Sequence, residues 1–134
     1  MNTLNKNSLT LGNKNIKFDE IISITKWKKT LKITDVNGDK YDITEEDMVN
    51  KFNELIQEKP NFVFYFNRFV NLDLVKKVKQ VSNPANKIFA IEVDFGATKE
   101  TFNFESAPAA SQFKKEITKA IDTLNANKET SLTK

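Results

Sequence analysis

Apolar and polar residues alternate with a period of two along most of this chain. Twice that period gives way to apolar spacing of three and four. This change of period limits the fold, because alternation builds half-buried strands and the longer spacing builds a helix with one buried stripe. In the first half, Leu9 and Leu11, then Ile16 and Phe18, fall around Gly12-Asn13 and predict a short hairpin. Ile22 and Ile24 alternate with Ser23 and Thr25, and Leu31 and Ile33 flank Lys32. Asn37-Gly38 predicts a two-residue primed turn, which needs positive φ at both positions, and Tyr41 and Ile43 resume the alternation. Thr44 is the expected N-cap of a helix ending at Lys59-Pro60, with Asp47 near the capping-box position and Met48, Phe52, Leu55 and Ile56 as its stripe.

The second half follows the same plan. "FVFYFNRFVNLDLVKKVKQV" reads as strand with a turn at Asn67-Arg68, and "SNPANK" reads as a loop. Phe89, Ile91, Val93 and Phe95 alternate with Ala90, Glu92 and Asp94. "GATKE" is a hairpin turn, and Phe102 and Phe104 follow it. Ser106 is expected to cap a helix running to about Asn125, with Pro108 in its first turn, where the missing N–H costs nothing. Phe113, Ile117, Ile121 and Leu124 are its stripe. Most of Phe62, Phe64, Phe66, Phe69, Phe89, Phe95, Phe102 and Phe104 is expected in the core, since alternating aromatics fit a pleated, half-buried surface.

The halves correspond segment by segment. "FDEIISITK" from Phe18 matches "LDLVKKVKQ" from Leu72, and "LKITDVNGDKYDIT" from Leu31 matches "FAIEVDFGATKETFNF" from Phe89. The expectation is an α+β protein of one domain, residues 1–134. It comprises two ββββα repeats (about 8–60 and about 61–125) related by a pseudo-twofold, with antiparallel sheets packed against two helices. Residues 1–7 are polar and expected to be loose, and residues 126–134 are expected to form a polar tail.

Composition removes many kinds of chemistry. The chain has no Cys and no His, which excludes disulfides, thiol nucleophiles, histidine bases and Cys/His zinc sites. "DVNGDKYDITEE" sets Asp35, Asn37, Asp39 and Glu46 at positions one, three, five and twelve of a calcium loop. Its sixth position is Lys40, where the sharp turn needs Gly, so no metal site is assigned. Glu92 and Asp94 share a strand face, which reads as solvated. No Gly-rich phosphate loop or catalytic triad is present, and the expectation is a non-enzyme with no cofactor. The N-terminus lacks the apolar region of a secretory signal, and no run is long enough to span a bilayer. A cytoplasmic protein without a membrane partner is therefore expected.

Net charge is +3, yet residues 1–60 hold ten basic and ten acidic residues, so any cationic surface must be local. Lys26, Lys28, Lys29 and Lys32 cluster at the end of one strand, and Lys76, Lys77 and Lys79 are read as the equivalent group in the second half. If Ile22 and Ile24 face the helix, then Ser23, Thr25 and Trp27 face outward. An open indole among lysines offers a ring for a base and cations for phosphates. Tyr65 is read as a second platform and Arg68 as a further cation. The plainer reading is also physical: half-buried aromatics, and lysines that protect an edge strand from aggregation.

A repeated ββββα unit with basic, aromatic-bearing sheets resembles the Whirly and PUR families of single-stranded nucleic-acid binders over about residues 8–125. The resemblance is one of topology. It implies binding of single-stranded DNA or RNA with little sequence preference, often as an oligomer. "LTLGNKNIKFDEIISITKWKKTLKI" also resembles the opening of a pleckstrin-homology-like or GRAM-type domain. That resemblance implies a protein- or lipid-binding module, and the alternative function is a protein-interaction or self-assembling accessory module.

Overall fold

The computed structural model describes residues 3–132, and the chain divides into two compact units after Asn71. The first unit holds β1 (Thr3–Leu4), β2 (Ser8–Leu11), β3 (Lys14–Lys17), β4 (Ile21–Trp27), β5 (Thr30–Asp35), β6 (Lys40–Ile43), helix α1 (Glu46–Gln57), β7 (Phe62–Tyr65) and β8 (Arg68–Asn71). The second holds β9 (Lys77–Asn83), β10 (Ile88–Asp94), β11 (Lys99–Phe104) and helix α2 (Ala107–Leu132). A 3₁₀ turn, Phe18–Glu20, precedes β4, and another, Leu72–Leu74, precedes β9. The fold is mixed α+β with antiparallel sheets and two helices.

In the first unit β1, β2 and β3 form a small sheet, and a larger one runs in the order β6-β5-β4-β8-β7. The chain ahead of α1 therefore contains more strands than the four expected, and residues 3–4, expected to be loose, pair with β2. Gly12 takes φ +63 in the β2–β3 turn, a conformation that costs glycine nothing. The core gathers Leu9 and Ile16 from the small sheet, Ile24, Leu31, Ile33 and Phe69 from the large one, and Met48, Phe52 and Ile56 from α1. Phe18 meets Phe52 edge-on at 5.4 Å.

Two local expectations change between β5 and α1. The β5–β6 connection is not a two-residue Asn-Gly turn. It spans residues 36–39, and of Asn37 and Gly38 only Gly38 has positive φ. The nearly buried carboxylate of Asp35 organises this loop, accepting the N–H groups of Asn37 (2.9 Å) and Asp39 (3.0 Å). Helix α1 begins after Glu45, with no side-chain cap, so Thr44 lies outside it. Two acidic residues, Glu46 and Asp47, occupy its first turn and suit the positive end of the helix dipole.

The first half of β4 is covered on both faces. Ser23, expected outside, is fully buried like Ile22 and Ile24, and Thr34 is nearly so. A bulge interrupts the β4–β5 register between Ile21 and Ser23. Asn71 serves that irregularity: its Nδ2 donates to the Ile21 carbonyl at 2.9 Å, and its Oδ1 accepts from Asn61 at 2.9 Å.

In the second unit the sheet order is β11-β10-β9, with α2 packed upon it. Phe113 of α2 lies 4.8 Å from the Phe102 ring and 5.3 Å from that of Phe104. Ala110, Ile117 and Leu124 continue the buried stripe. Ser106 caps α2 as expected, its Oγ accepting the Ala109 N–H at 3.3 Å. The helical backbone runs past Asn125 to Leu132, and residues 133–134 of the expected tail lie outside the described residues. "SNPANK" is loop only in part, because β9 extends to Asn83 and Pro84–Asn86 form a 3₁₀ turn.

Two stability predictions follow from these contacts. Asn71→Ala leaves the buried Ile21 carbonyl without its donor and should cost about 1–3 kcal/mol, read as a lower denaturant midpoint at unchanged slope. The second concerns Tyr41, whose hydroxyl donates to Asp35 Oδ2 at 3.2 Å. Partial burial, that hydrogen bond and the nearby charges of Asp35 and Asp39 raise its pKa above the ordinary tyrosine value. A raised pKa means that the unfolded chain loses the proton first. This contribution is complete below about pH 10 and is lost as pH rises through the folded value. Tyr41→Phe should therefore show a shallower alkaline loss of stability than the native chain in parallel melts from pH 8 to 11.

Candidate nucleic-acid interface

The site sits at the tips of two hairpins on neighbouring strands of the first unit. β4 ends at Trp27, Lys28-Lys29 form the turn, and β5 begins at Thr30, directly opposite Trp27. β7 ends at Tyr65 and turns through Phe66-Asn67, one residue earlier than expected, so that Arg68 opens β8 opposite Tyr65. Thr25 pairs with Arg68, and the Lys26 N–H donates to the Asn67 carbonyl at 2.8 Å, which fastens the two tips side by side.

Both turns put a bulky residue where glycine is preferred. Lys28 has φ 55 and Phe66 has φ 63, each at the first of two turn residues. That pattern suits a primed hairpin turn, and a non-glycine residue there costs about 1–2 kcal/mol.

The register assigns the side chains to faces. Lys32, Thr25, Arg68 and Tyr65 are successive cross-strand partners, so they form one row on one face. Trp27 lies two residues from Thr25, hence on that face, and is 59% exposed. Asp42, opposite Lys32 on β6, tempers the charge at the far end of the row. On the other face, Lys26 Nζ lies 5.8 Å from the Phe64 ring centroid, and Phe64 meets Phe69 edge-on at 4.9 Å. Lys28 Nζ lies 5.9 Å from the Trp27 ring. Exposed cation–ring contacts at this range are worth only about 0.5–1 kcal/mol, so a ligand can displace them.

Phe64 and Phe66, expected in the core, are 45% and 65% exposed. They, rather than half-buried Tyr65, are the open rings of the second hairpin. Turn chemistry hid Phe66, because a phenylalanine at positive φ is not something a turn pattern anticipates. The structure thus brings Lys26, Trp27, Lys28, Lys29 and Arg68 together at the tips, with Lys32 in the adjoining row.

The other three lysines belong to the second unit. Lys76 precedes β9, and Lys77 and Lys79 open that strand, whereas Lys26, Lys28 and Lys29 lie at the close of β4. Lys77 is directly opposite Asp94 and Lys79 opposite Glu92. Glu92 also meets Lys99 Nζ at 3.5 Å from the next strand. This face is a ladder of alternating sign. Among the described residues no group of carboxylates is arranged to hold a metal ion, and no helix is long and apolar enough to cross a membrane.

No family model matches the chain, and no curated protein matches it. Among solved structures, the chain is similar to a LytTr DNA-binding domain from Bacillus cereus. The identity is 16% and the TM-score 0.47, over 81% of this chain and 92% of that one. Likeness at this level establishes neither a shared family nor a shared function.

Proposed function

We propose that this chain is a non-enzymatic nucleic-acid-binding protein that holds a single strand at the paired hairpin tips of its first unit. The observation that carries the reading is Trp27, 59% exposed on a sheet face shared with Arg68 and Lys32, with Lys28 Nζ 5.9 Å from its ring and Lys26 at the same tip on the other face. An open indole stacks on an unpaired base, and the ammonium and guanidinium groups meet its phosphates. Phe66 adds a second ring at the neighbouring tip, and Lys29 extends the cationic rim. Lys76, Lys77 and Lys79 contribute less, because carboxylates stand opposite two of them. The order hairpin, 3₁₀ turn, three strands, helix occurs in each half of the chain and supports an internal duplication. The corresponding hairpins carry different tips, Gly12-Asn13 in the first and Phe66-Asn67 in the second.

Phe64 and Phe66 also favour a second reading, in which the exposed rings join one copy of the chain to another. Light scattering on the isolated protein separates the two. A monomer that binds oligonucleotide supports the first reading, and concentration-dependent self-association abolished by Phe66→Ser supports the second.

The direct test is titration with labelled single strands at low salt. Trp27 fluorescence should be quenched, and affinity should fall steeply as salt rises through counterion release. Trp27→Ala should weaken binding by about 1–3 kcal/mol, roughly five- to 150-fold. Absence of both binding and quenching defeats the proposal. Equal affinity for the duplex of the same sequence defeats its single-strand part.

The turn strain generates a further expectation. Lys28→Gly removes the left-handed penalty of about 1–2 kcal/mol but adds glycine's entropy cost of about 0.5–1. The variant should be up to about 1.5 kcal/mol more stable in denaturant and yet bind the strand more weakly, because a cation beside the indole is gone.

A further inference from the structure

A groove of about 530 Å³ lies within the second unit, between β9 and α2, lined by Gln80, Ser111, Lys114, Lys115, Thr118, Lys119 and Asp122. The helical members fall at spacings of three and four, so they form one continuous face of α2. Three ammonium groups stand here against the one carboxylate of Asp122, a local excess of two in a chain whose net charge is +3. Glu116, one turn from Lys119, is not part of the lining and is held by the Gln112 side-chain amide at 3.3 Å. Among the described residues, none of the three lysines is ion-paired. From Lys114 to Lys119 the helix advances about 7.5 Å. That is room for about two phosphates of an extended strand, and for about three at most at the duplex rise of roughly 3.4 Å per nucleotide.

We infer that this α2 groove is a second phosphate-binding surface, which takes the phosphodiester backbone of the nucleic acid whose bases the first unit stacks. The inference rests on the function proposed above. Lys114, Lys115 and Lys119 neutralise backbone charge, and the hydroxyls of Ser111 and Thr118 donate to phosphate oxygens. The Asp122 carboxylate repels phosphate and marks the end of the track. No base is read here, so the groove adds affinity and salt dependence without sequence preference.

The experiment compares the native chain, Trp27→Ala and the triple variant Lys114→Gln, Lys115→Gln, Lys119→Gln, binding a labelled single strand across a salt series. Thermal melts confirm that the exposed-face variant is folded. The triple variant should lose affinity at low salt, and its log–log salt slope should be shallower by about 2, near 0.7 per phosphate contact on a single strand. Trp27 quenching at saturation should persist. A triple variant with native affinity and slope overturns the groove and leaves the first-unit reading standing. A shallower slope in the triple variant, with Trp27 unquenched and Trp27→Ala native-like, supports the groove and overturns stacking. No binding by the native chain overturns both. Sedimentation with phosphatidylserine vesicles, lost in the triple variant while oligonucleotide binding is unchanged, would overturn the proposal in favour of a lipid surface.

Discussion

The pairing of β8 with β4 is the contact on which the first unit depends. It is short, linking Ser23 with Val70, Ile24 with Phe69 and Thr25 with Arg68. It places a hairpin that follows α1 in sequence against a strand that precedes it. Without that hairpin, β4 would be an edge, and its N–H and C=O groups would need other partners. The pairing is built around a buried polar contact as well as apolar ones. Asn71, at the end of β8, spans fifty residues of sequence to satisfy the Ile21 carbonyl beside the β4 bulge. Because the register is settled at that end, the opposite ends of β4 and β8 arrive together, and the Lys26–Asn67 backbone bond closes the row.

Those ends carry an energetic oddity. Two non-glycine residues at positive φ cost together about 2–4 kcal/mol, against a net stability of about 5–15 kcal/mol for an ordinary domain. Gly12, in the comparable turn of β2 and β3, avoids the cost. Phe66 buries little of its own area, being 65% exposed. Strain held on a surface turn, with an aromatic side chain presented to water, is a feature that the proposed binding role would account for. The same chain shows how it treats aromatic rings when only packing matters: Phe52, Phe102 and Phe113 are buried and in contact with other rings.

Much of this architecture is legible in the residues. Both helices appear where apolar spacing changes to three and four, and Ser106 caps α2 because a hydroxyl beside Ala-Pro-Ala has orphan N–H groups to accept. The outward Trp27 follows from alternation with Ile24. The errors have local causes. Asn37-Gly38 has the composition of a tight hairpin, but Asp35 captures the loop's amides and widens the turn. Ser23 and Thr34 look like solvent residues by alternation, yet both faces of the sheet are covered at that level. Phe64 and Phe66 look like core because alternation cannot see where a strand stops being covered. The sheet's burial ends between Phe69, 6% exposed, and its cross-strand partner Phe64, 45% exposed.

Charge counted along the sequence misleads for a related reason. Lys77 and Lys79 form as dense a basic run as Lys26 and Lys28, but a strand residue takes its electrostatic surroundings from cross-strand partners. Asp94 and Glu92 supply those partners in the second unit, so the run is balanced in place. At the end of β4 the partners of Thr25, Lys26 and Trp27 on β5 are Lys32, Leu31 and Thr30, with Arg68 on the other side, and no carboxylate is among them. The same lysine content therefore yields a ladder of alternating sign in one sheet and, in the other, a patch whose facing carboxylate, Asp42, stands only at its far end beside Lys32. The proposed stacking ring calls for the second environment: cations without facing carboxylates would draw phosphates toward Trp27, whereas a balanced ladder would exert no such pull. Pairing register, more than the number of lysines, thus decides where positive charge goes largely unbalanced, and the proposed interface is placed there for that reason.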